Sequence, residues 1–172
     1  MAFAISGVGL AQERNPGSQI GISGGFTMPV TLGFGGNLSI MVPLGPDTEQ
    51  GHLVGEFLLE RSFSVLSGIV NQKEVYENHI AGQLFWEAPP MDTLFSGKSR
   101  PSIGANMGYS QWTNAAGQYQ SGGMTVGFVI GGRSFFEPLP FFTQVEFETR
   151  YNLSRPNFPV DGIVRMNLGI SL

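Results

Sequence analysis

From Val164 to Leu172 apolar and polar side chains alternate without a break. Val164, Met166, Leu168, Ile170 and Leu172 share one side of an extended chain, and Arg165, Asn167, Gly169 and Ser171 share the other. Strict period-two alternation specifies a strand with one face in an apolar phase. The same pattern recurs seven more times, starting with Thr143, Val145, Phe147, Thr149, Tyr151 and Leu153 against Gln144, Glu146, Glu148, Arg150 and Asn152. Upstream, Met124, Val126, Phe128 and Ile130 alternate with Thr125, Gly127, Val129 and Gly131, and Ile103, Ala105, Met107 and Tyr109 with Gly104, Asn106, Gly108 and Ser110. Four less regular segments precede these, with apolar phases led by Ile80, Leu84 and Trp86; Leu53, Phe57 and Leu59; Phe34, Leu38 and Ile40; and Ile22, Phe26 and Met28. Helical periodicity is almost absent. Eight strands joined by turn-rich pieces predict an all-β, antiparallel up-and-down barrel.

Such a barrel is either a soluble calyx with its apolar face inside or a membrane barrel with that face outside. The polar phase decides. A water-facing surface carries roughly 25–35% charged residues. Here the polar phases of the first, second, fifth and sixth strands hold only Gly, Ser, Thr, Asn, Gln and one Val. Charged residues are 13% of the chain and there are 25 glycines, as a narrow, crowded lumen requires. The ten residue-to-residue steps from Phe141 to Tyr151, at ~3.3 Å each and tilted by about 40°, cover roughly the 25 Å of an outer-membrane apolar band. No charged side chain lies between Asn15 and Pro46 or between Pro101 and Gly132, yet Gly, Ser, Asn and Pro interrupt both, which excludes a transmembrane helix.

In these features the chain resembles the small eight-stranded outer-membrane β-barrels of bacteria, over roughly residues 18 to 172. The last strand resembles that family's C-terminal insertion signal, with Leu172 where the family carries an aromatic. The resemblance implies a bacterial outer-membrane location, contact with bilayer lipids and with the outer-membrane assembly machinery, and a monomer. Trp86, Tyr109, Trp112, Phe141 and Tyr151, with Tyr119, fall near strand ends, as an interfacial aromatic girdle demands.

Residues 1–11, MAFAISGVGLA, read either as the tail of a secretory signal peptide ending at Gly9-Leu10-Ala11 or as a further strand. A ninth strand would break the even-number rule, so residues 12–172 are taken as a single barrel domain.

Little in the chain points to catalysis. It has no cysteine, which removes thiol catalysis and Cys-based zinc sites, and its net charge of −4 opposes a nucleic-acid partner. Gly21-Ile-Ser23-Gly-Gly25 matches the nucleophile elbow G-x-S-x-G but lacks the helix that motif needs. Resemblance to lipid A deacylases would require a His and a Ser two apart on one strand; His79 is followed there by Ala81, and His52 by Val54. No metal-ligand spacing surrounds either histidine, and no cofactor is implied. The informative residues are charges in the polar phase: Glu56, Glu60, Glu87, Glu146, Glu148, Arg150 and Arg165. Inside a barrel these must pair, so an ion-pair network that stiffens and plugs the lumen is expected. The reading is a non-enzymatic integral outer-membrane barrel with a structural or surface-interaction role, or a narrow pore. Its rivals are a membrane-embedded lipid-modifying enzyme and a soluble calyx holding a hydrophobic ligand.

Overall fold

A computed structural model describes residues 19–30, 32–65, 75–93, 97–136, 139–154 and 160–172. The signal-peptide reading of residues 1–11 falls outside them. The described strands are β1 (Gly21–Pro29), β2 (Gly33–Pro43), β3 (His52–Ser64), β4 (Tyr76–Glu87), β5 (Met91–Asp92), β6 (Lys98–Thr113), β7 (Tyr119–Phe135), β8 (Phe141–Asn152) and β9 (Val160–Ser171). All pairings are antiparallel between sequence neighbours, save two that close the ring. β5 is a two-residue ladder on β6, so the wall passes directly from β4 to β6. β1 pairs with β9 from Gly21↔Ser171 to Pro29↔Ile163. Eight strands therefore form a closed barrel in which every strand has two neighbours and no edge is left free.

Alternation sorts side chains between two environments. Leu168 and Met107 are each 60% exposed, and Phe26 59%, all on the outer surface. One residue along the chain, Asn167, Asn106 and Thr27 are buried in the lumen. The interior is too narrow to leave apolar inward residues idle. Met41, Val54, Phe135 and Phe142 cluster inside the end of the barrel that carries Gly21 and Ser171, here the terminal end. Gly169 permits this packing, because a Cβ there would lie 2.2 Å from Cζ of Phe142. That is far inside van der Waals contact, so no larger residue fits without moving the ring.

Several strands run past the apolar alternation that marks them in the sequence. β6 begins at Lys98 and β7 at Tyr119, within segments expected to be turns. β4 likewise begins at Tyr76, before the alternating stretch from Ile80. At the rims an outer face no longer has to be apolar, so hydrogen-bonded strand continues where the hydropathy pattern has ended. Between β1 and β2, Leu32 adopts a left-handed φ of 59°.

Removing β9 would leave β1 and β8 with unpaired backbone ladders. A chain truncated before Val164 should fail to give the folded, faster-migrating band of an unheated gel sample. A truncated chain that still shows this heat-modifiable shift would mean the barrel closes without β9.

Candidate functional site

Among the described residues, the lumen is where charges are assembled. Two guanidiniums hold its centre, Arg165 on β9 and Arg150 on β8, both fully buried. Arg165 Nε donates to Glu60 Oε2 at 2.7 Å and Nη1 to Glu146 Oε2 at 3.4 Å, while Nη2 is bonded to Glu148. Arg150 Nε donates to Glu148 Oε1 at 2.8 Å, Nη1 to Glu77 Oε1 at 3.0 Å and Nη2 to Glu60 Oε1 at 3.2 Å. The register explains these meetings: Glu146 lies opposite Arg165 on the β8–β9 ladder, and Glu60 reaches across the barrel from β3. Thr27 adds a hydrogen bond to Glu60 at 3.3 Å, and Asn37 one to Thr27 at 3.0 Å. The planar guanidinium fork, with five donors, suits a site where each cation must serve three carboxylates.

A second cluster closes the terminal end. Arg133 binds Glu87 with two parallel bonds, Nε and Nη2 each at 2.6 Å from a carboxylate oxygen. Its guanidinium also lies 5.3 Å from the ring centroid of Phe135 and 5.5 Å from that of Phe142. Arg100 makes a two-pronged pair with Asp47 and lies 3.2 Å from Nδ1 of His52. Asp47 comes from the connection between β2 and β3. There Thr48 and Gly51 form a tight turn, with Thr48 Oγ1 donating to the Gly51 carbonyl at 2.7 Å. Gly51 has φ +104° and a Cβ there would lie 2.1 Å from the carbonyl oxygen of Glu87, so the turn both needs glycine and rests on β4. The connection is thereby folded over the lumen mouth with its carboxylate inward.

A serine, a histidine and a glutamate also meet. His79 and Ser110 are opposite one another on the β4–β6 ladder, with Nδ1 2.9 Å from Oγ, and Ser110 Oγ donates to Glu77 Oε1. The order is not that of an acyl-transfer triad, where the carboxylate orients the histidine and the histidine takes the serine proton. Here the serine hydroxyl donates its hydrogen bond to the carboxylate and not to the histidine. Ser110 is 0% and His79 1% exposed, so the hydroxyl faces the packed lumen.

Of the charges singled out in the sequence, Glu60, Glu146, Glu148, Arg150 and Arg165 meet in the central cluster. Glu87 belongs instead to the terminal cluster, and Glu56 joins neither. Glu77, Asp47, Arg100 and Arg133 were missed, and His52 and His79 were weighed only as catalytic or metal-binding residues, without their partners Arg100 and Ser110. Glu77, Arg100 and Arg133 lie in the inward phase of strands that outrun their apolar alternation, which is the signal that could have found them. Ser110 escaped notice because it approaches His79 across a ladder rather than along one strand. Outside, Trp86 and Phe141 project from the wall near the terminal end, Tyr151 and Tyr119 near the opposite end, and Tyr109 four residues before the end of β6 at Thr113. Trp112 does not belong with them. It is 4% exposed, because its distance of three residues from the outward Tyr109 puts it on the opposite face, in phase with Ser110.

Removing one partner of a buried charge cluster leaves the others uncompensated, at a cost of about 3–5 kcal/mol. Arg165→Ala and Arg150→Ala should each destabilise the barrel by about that much in urea unfolding and raise its planar-bilayer conductance. No change in either measurement would show that the cluster neither stabilises nor closes the lumen.

No known family profile matches the chain, and no curated protein matches it in sequence. Solved structures do match in three dimensions. The N-terminal β-barrel domain of Pseudomonas aeruginosa OprF superposes over 90% of this chain and 98% of its own, with 16% identity and a TM-score of 0.58. The outer membrane enzyme PagL matches over 88% and 99%, with 13% identity and a TM-score of 0.56. Neisserial surface protein A matches over 90% and 95%, with 11% identity and a TM-score of 0.52. At these identities the likeness is one of fold: the chain is a closed, antiparallel, eight-stranded β-barrel of the kind built by small outer-membrane proteins.

Proposed function

We propose that the chain is an integral outer-membrane β-barrel protein with a structural or surface-interaction role, its lumen closed by ion pairs. The observation that carries this reading is the inverted distribution of side chains. Every barrel strand presents large apolar residues on its outer surface, among them Phe26, Leu38, Phe57, Leu84, Met107, Phe128, Phe147 and Leu168. Buried charges, including four arginines, are turned inward. An apolar surface that encircles the molecule far exceeds the patches soluble monomers tolerate, whereas hydrocarbon accepts it without cost. The outward Trp86 and Phe141 at one end and Tyr151 and Tyr119 at the other suit two membrane interfaces.

The same reading makes bilayer lipids the main partner and the outer-membrane assembly machinery the route of insertion. It makes the protein a monomer, since a closed wall offers no edge to a second copy. The lumen clusters favour a plugged barrel over a pore. In the central cluster Glu60, Glu77, Glu146 and Glu148 face only Arg150 and Arg165, so any leak prefers cations. Among the described residues the serine that meets a histidine, Ser110, is sealed inside the wall where a lipid does not reach it.

Position on the wall should govern tolerance. Leu168→Arg or Phe147→Arg should cost about 2–4 kcal/mol when the chain is folded into lipid vesicles, whereas Ser171→Asn in the lumen should cost less. Equal tolerance of the two faces would overturn the membrane reading.

A further inference from the structure

Among the described residues of the eight barrel strands, one charged side chain is not in the inward phase. Arg61 on β3 is exposed and lies between Glu60 and Ser62, both buried inside, so it shares the outer face with Leu59 and Phe63. An arginine on a lipid-facing wall is tolerated near an interface, where its long stem carries the guanidinium out of the hydrocarbon. Arg61 meets that condition. It lies three residues before the end of β3 at Ser64, opposite Gly36 on β2, toward the rim away from the termini. Its guanidinium leans further that way, 5.5 Å from the ring centroid of Tyr76, whose register partner Phe63 is two residues beyond Arg61. None of the described carboxylates pairs with it; Glu60, its neighbour in sequence, faces the lumen and holds Arg150 and Arg165.

The register sets uncharged polar groups beside this cation. Its partner on β4 is Asn78, the partner of Asn78 on β6 is Gln111, and the partner of Gln111 on β7 is Gly122. Both amides belong to the outward phase. Asn78 precedes the inward His79, and Gln111 is exposed between the buried Ser110 and Trp112. Tyr109 lays its phenol against Gly122, where any side chain would collide with the hydroxyl, so a further polar group ends in the same row. Toward the middle of the wall the adjoining outward residues are Leu59 and Ile80, 40% and 51% exposed. Toward the rim they are Phe63 and Tyr76, whose ring centroids are 6.0 Å apart. A polar row with one cation thus runs across three strands just inside the aromatic rim.

We propose that this row is a docking surface for the phosphate of an anionic lipid, with Arg61 as its charged anchor and Asn78 and Gln111 as flanking donors. The proposal rests on the membrane reading and says which lipid chemistry that wall prefers. Charge complementarity selects the occupant. The four lumen arginines are neutralised by carboxylates of the chain itself, whereas Arg61 meets none and stands where the wall passes from apolar to aromatic. A guanidinium fork matches two phosphate oxygens at once, and amide N–H groups along the row donate to a headgroup lying across it. A zwitterionic headgroup already holds an ammonium beside its phosphate, so it gains less from the arginine. A soluble protein would have to reach past Phe63 and Tyr76 to touch the same row.

The test refolds the full chain in neutral detergent micelles and titrates it with phosphatidic acid, phosphatidylcholine or oleate, counting lipids retained by the folded barrel in native mass spectrometry. Phosphatidic acid should be held about tenfold more tightly than either of the others. Arg61→Gln should remove that preference, and Arg61→Lys, which keeps the charge without the fork, should reduce it about threefold. Gln111→Ala should weaken retention of phosphatidic acid and leave phosphatidylcholine unaffected. Heat-modifiable gel mobility on the same samples verifies that each variant is folded. Equal retention of the three lipids, or an undiminished preference in Arg61→Gln, overturns the proposal and leaves the row to an acidic protein surface. Displacement by millimolar inorganic phosphate overturns it too, since the site would then recognise free phosphate and not a lipid. Insertion into phosphatidylcholine vesicles separates the two readings: a chain that inserts there without preferring phosphatidic acid loses the lipid site alone, and one that does not insert loses both.

Discussion

Closure of the sheet between β1 and β9 is the constraint on which the rest of the molecule depends. A backbone amide or carbonyl without a partner costs several kcal/mol in hydrocarbon, and a strand can satisfy its groups only through its neighbours. With β1 joined to β9 from Gly21↔Ser171 to Pro29↔Ile163, no row of such groups is left over. Once the ring is closed the outer surface can be apolar on every strand, and everything polar in the wall must find its partners in a space one side chain deep. The ion-pair clusters, the inward glycines and the buried serines all follow from that confinement.

Charge pairing in the lumen is better understood as a condition than as a source of stability. Taking guanidinium and carboxylate groups out of water is expensive, and their attraction only roughly offsets the loss. The clusters do specify a single arrangement. Arg165 and Arg150 together tie β3, β4, β8 and β9, and a one-residue slip of any of these strands would turn its carboxylate or guanidinium out of the lumen. Arg133 and Arg100 do the same at the terminal end, where Gly51 lets the β2–β3 connection carry Asp47 inward. The barrel is thereby closed twice, once at its centre and once at its mouth.

The meeting of Ser110, His79 and Glu77 shows why a constellation has to be read together with its surroundings. The residue types are those of acyl transfer, and one of the solved barrels with this fold is an enzyme. In this chain the hydroxyl is sealed in the lumen and donates its hydrogen bond to the carboxylate, so the group acts as one more hydrogen-bonded link between β4 and β6. Fold likeness alone does not carry chemistry from one barrel to another.

Alternation by itself determined most of the architecture. Period two fixes which residues share a face, so the outward phase of Met166, Leu168 and Ile170 and the inward phase of Glu146, Glu148 and Arg150 could be read directly from the order of residues. The uncharged polar phases identified which face is inside. Strand ends were not legible, because the apolar requirement lapses at the rims while hydrogen bonding continues, and Glu77, Arg100 and Arg133 were lost with them. Partnership across the barrel was not legible either. Glu60 meets Arg165, and Glu87 meets Arg133, through shear and curvature that bring together residues about fifty to a hundred positions apart, and no local pattern encodes those distances. Only the closed tertiary structure decided which charges pair, which serine faces which histidine, and that Glu56 lies beside Gln83 outside both ion-pair clusters. Those outcomes depend on the register of all eight strands at once.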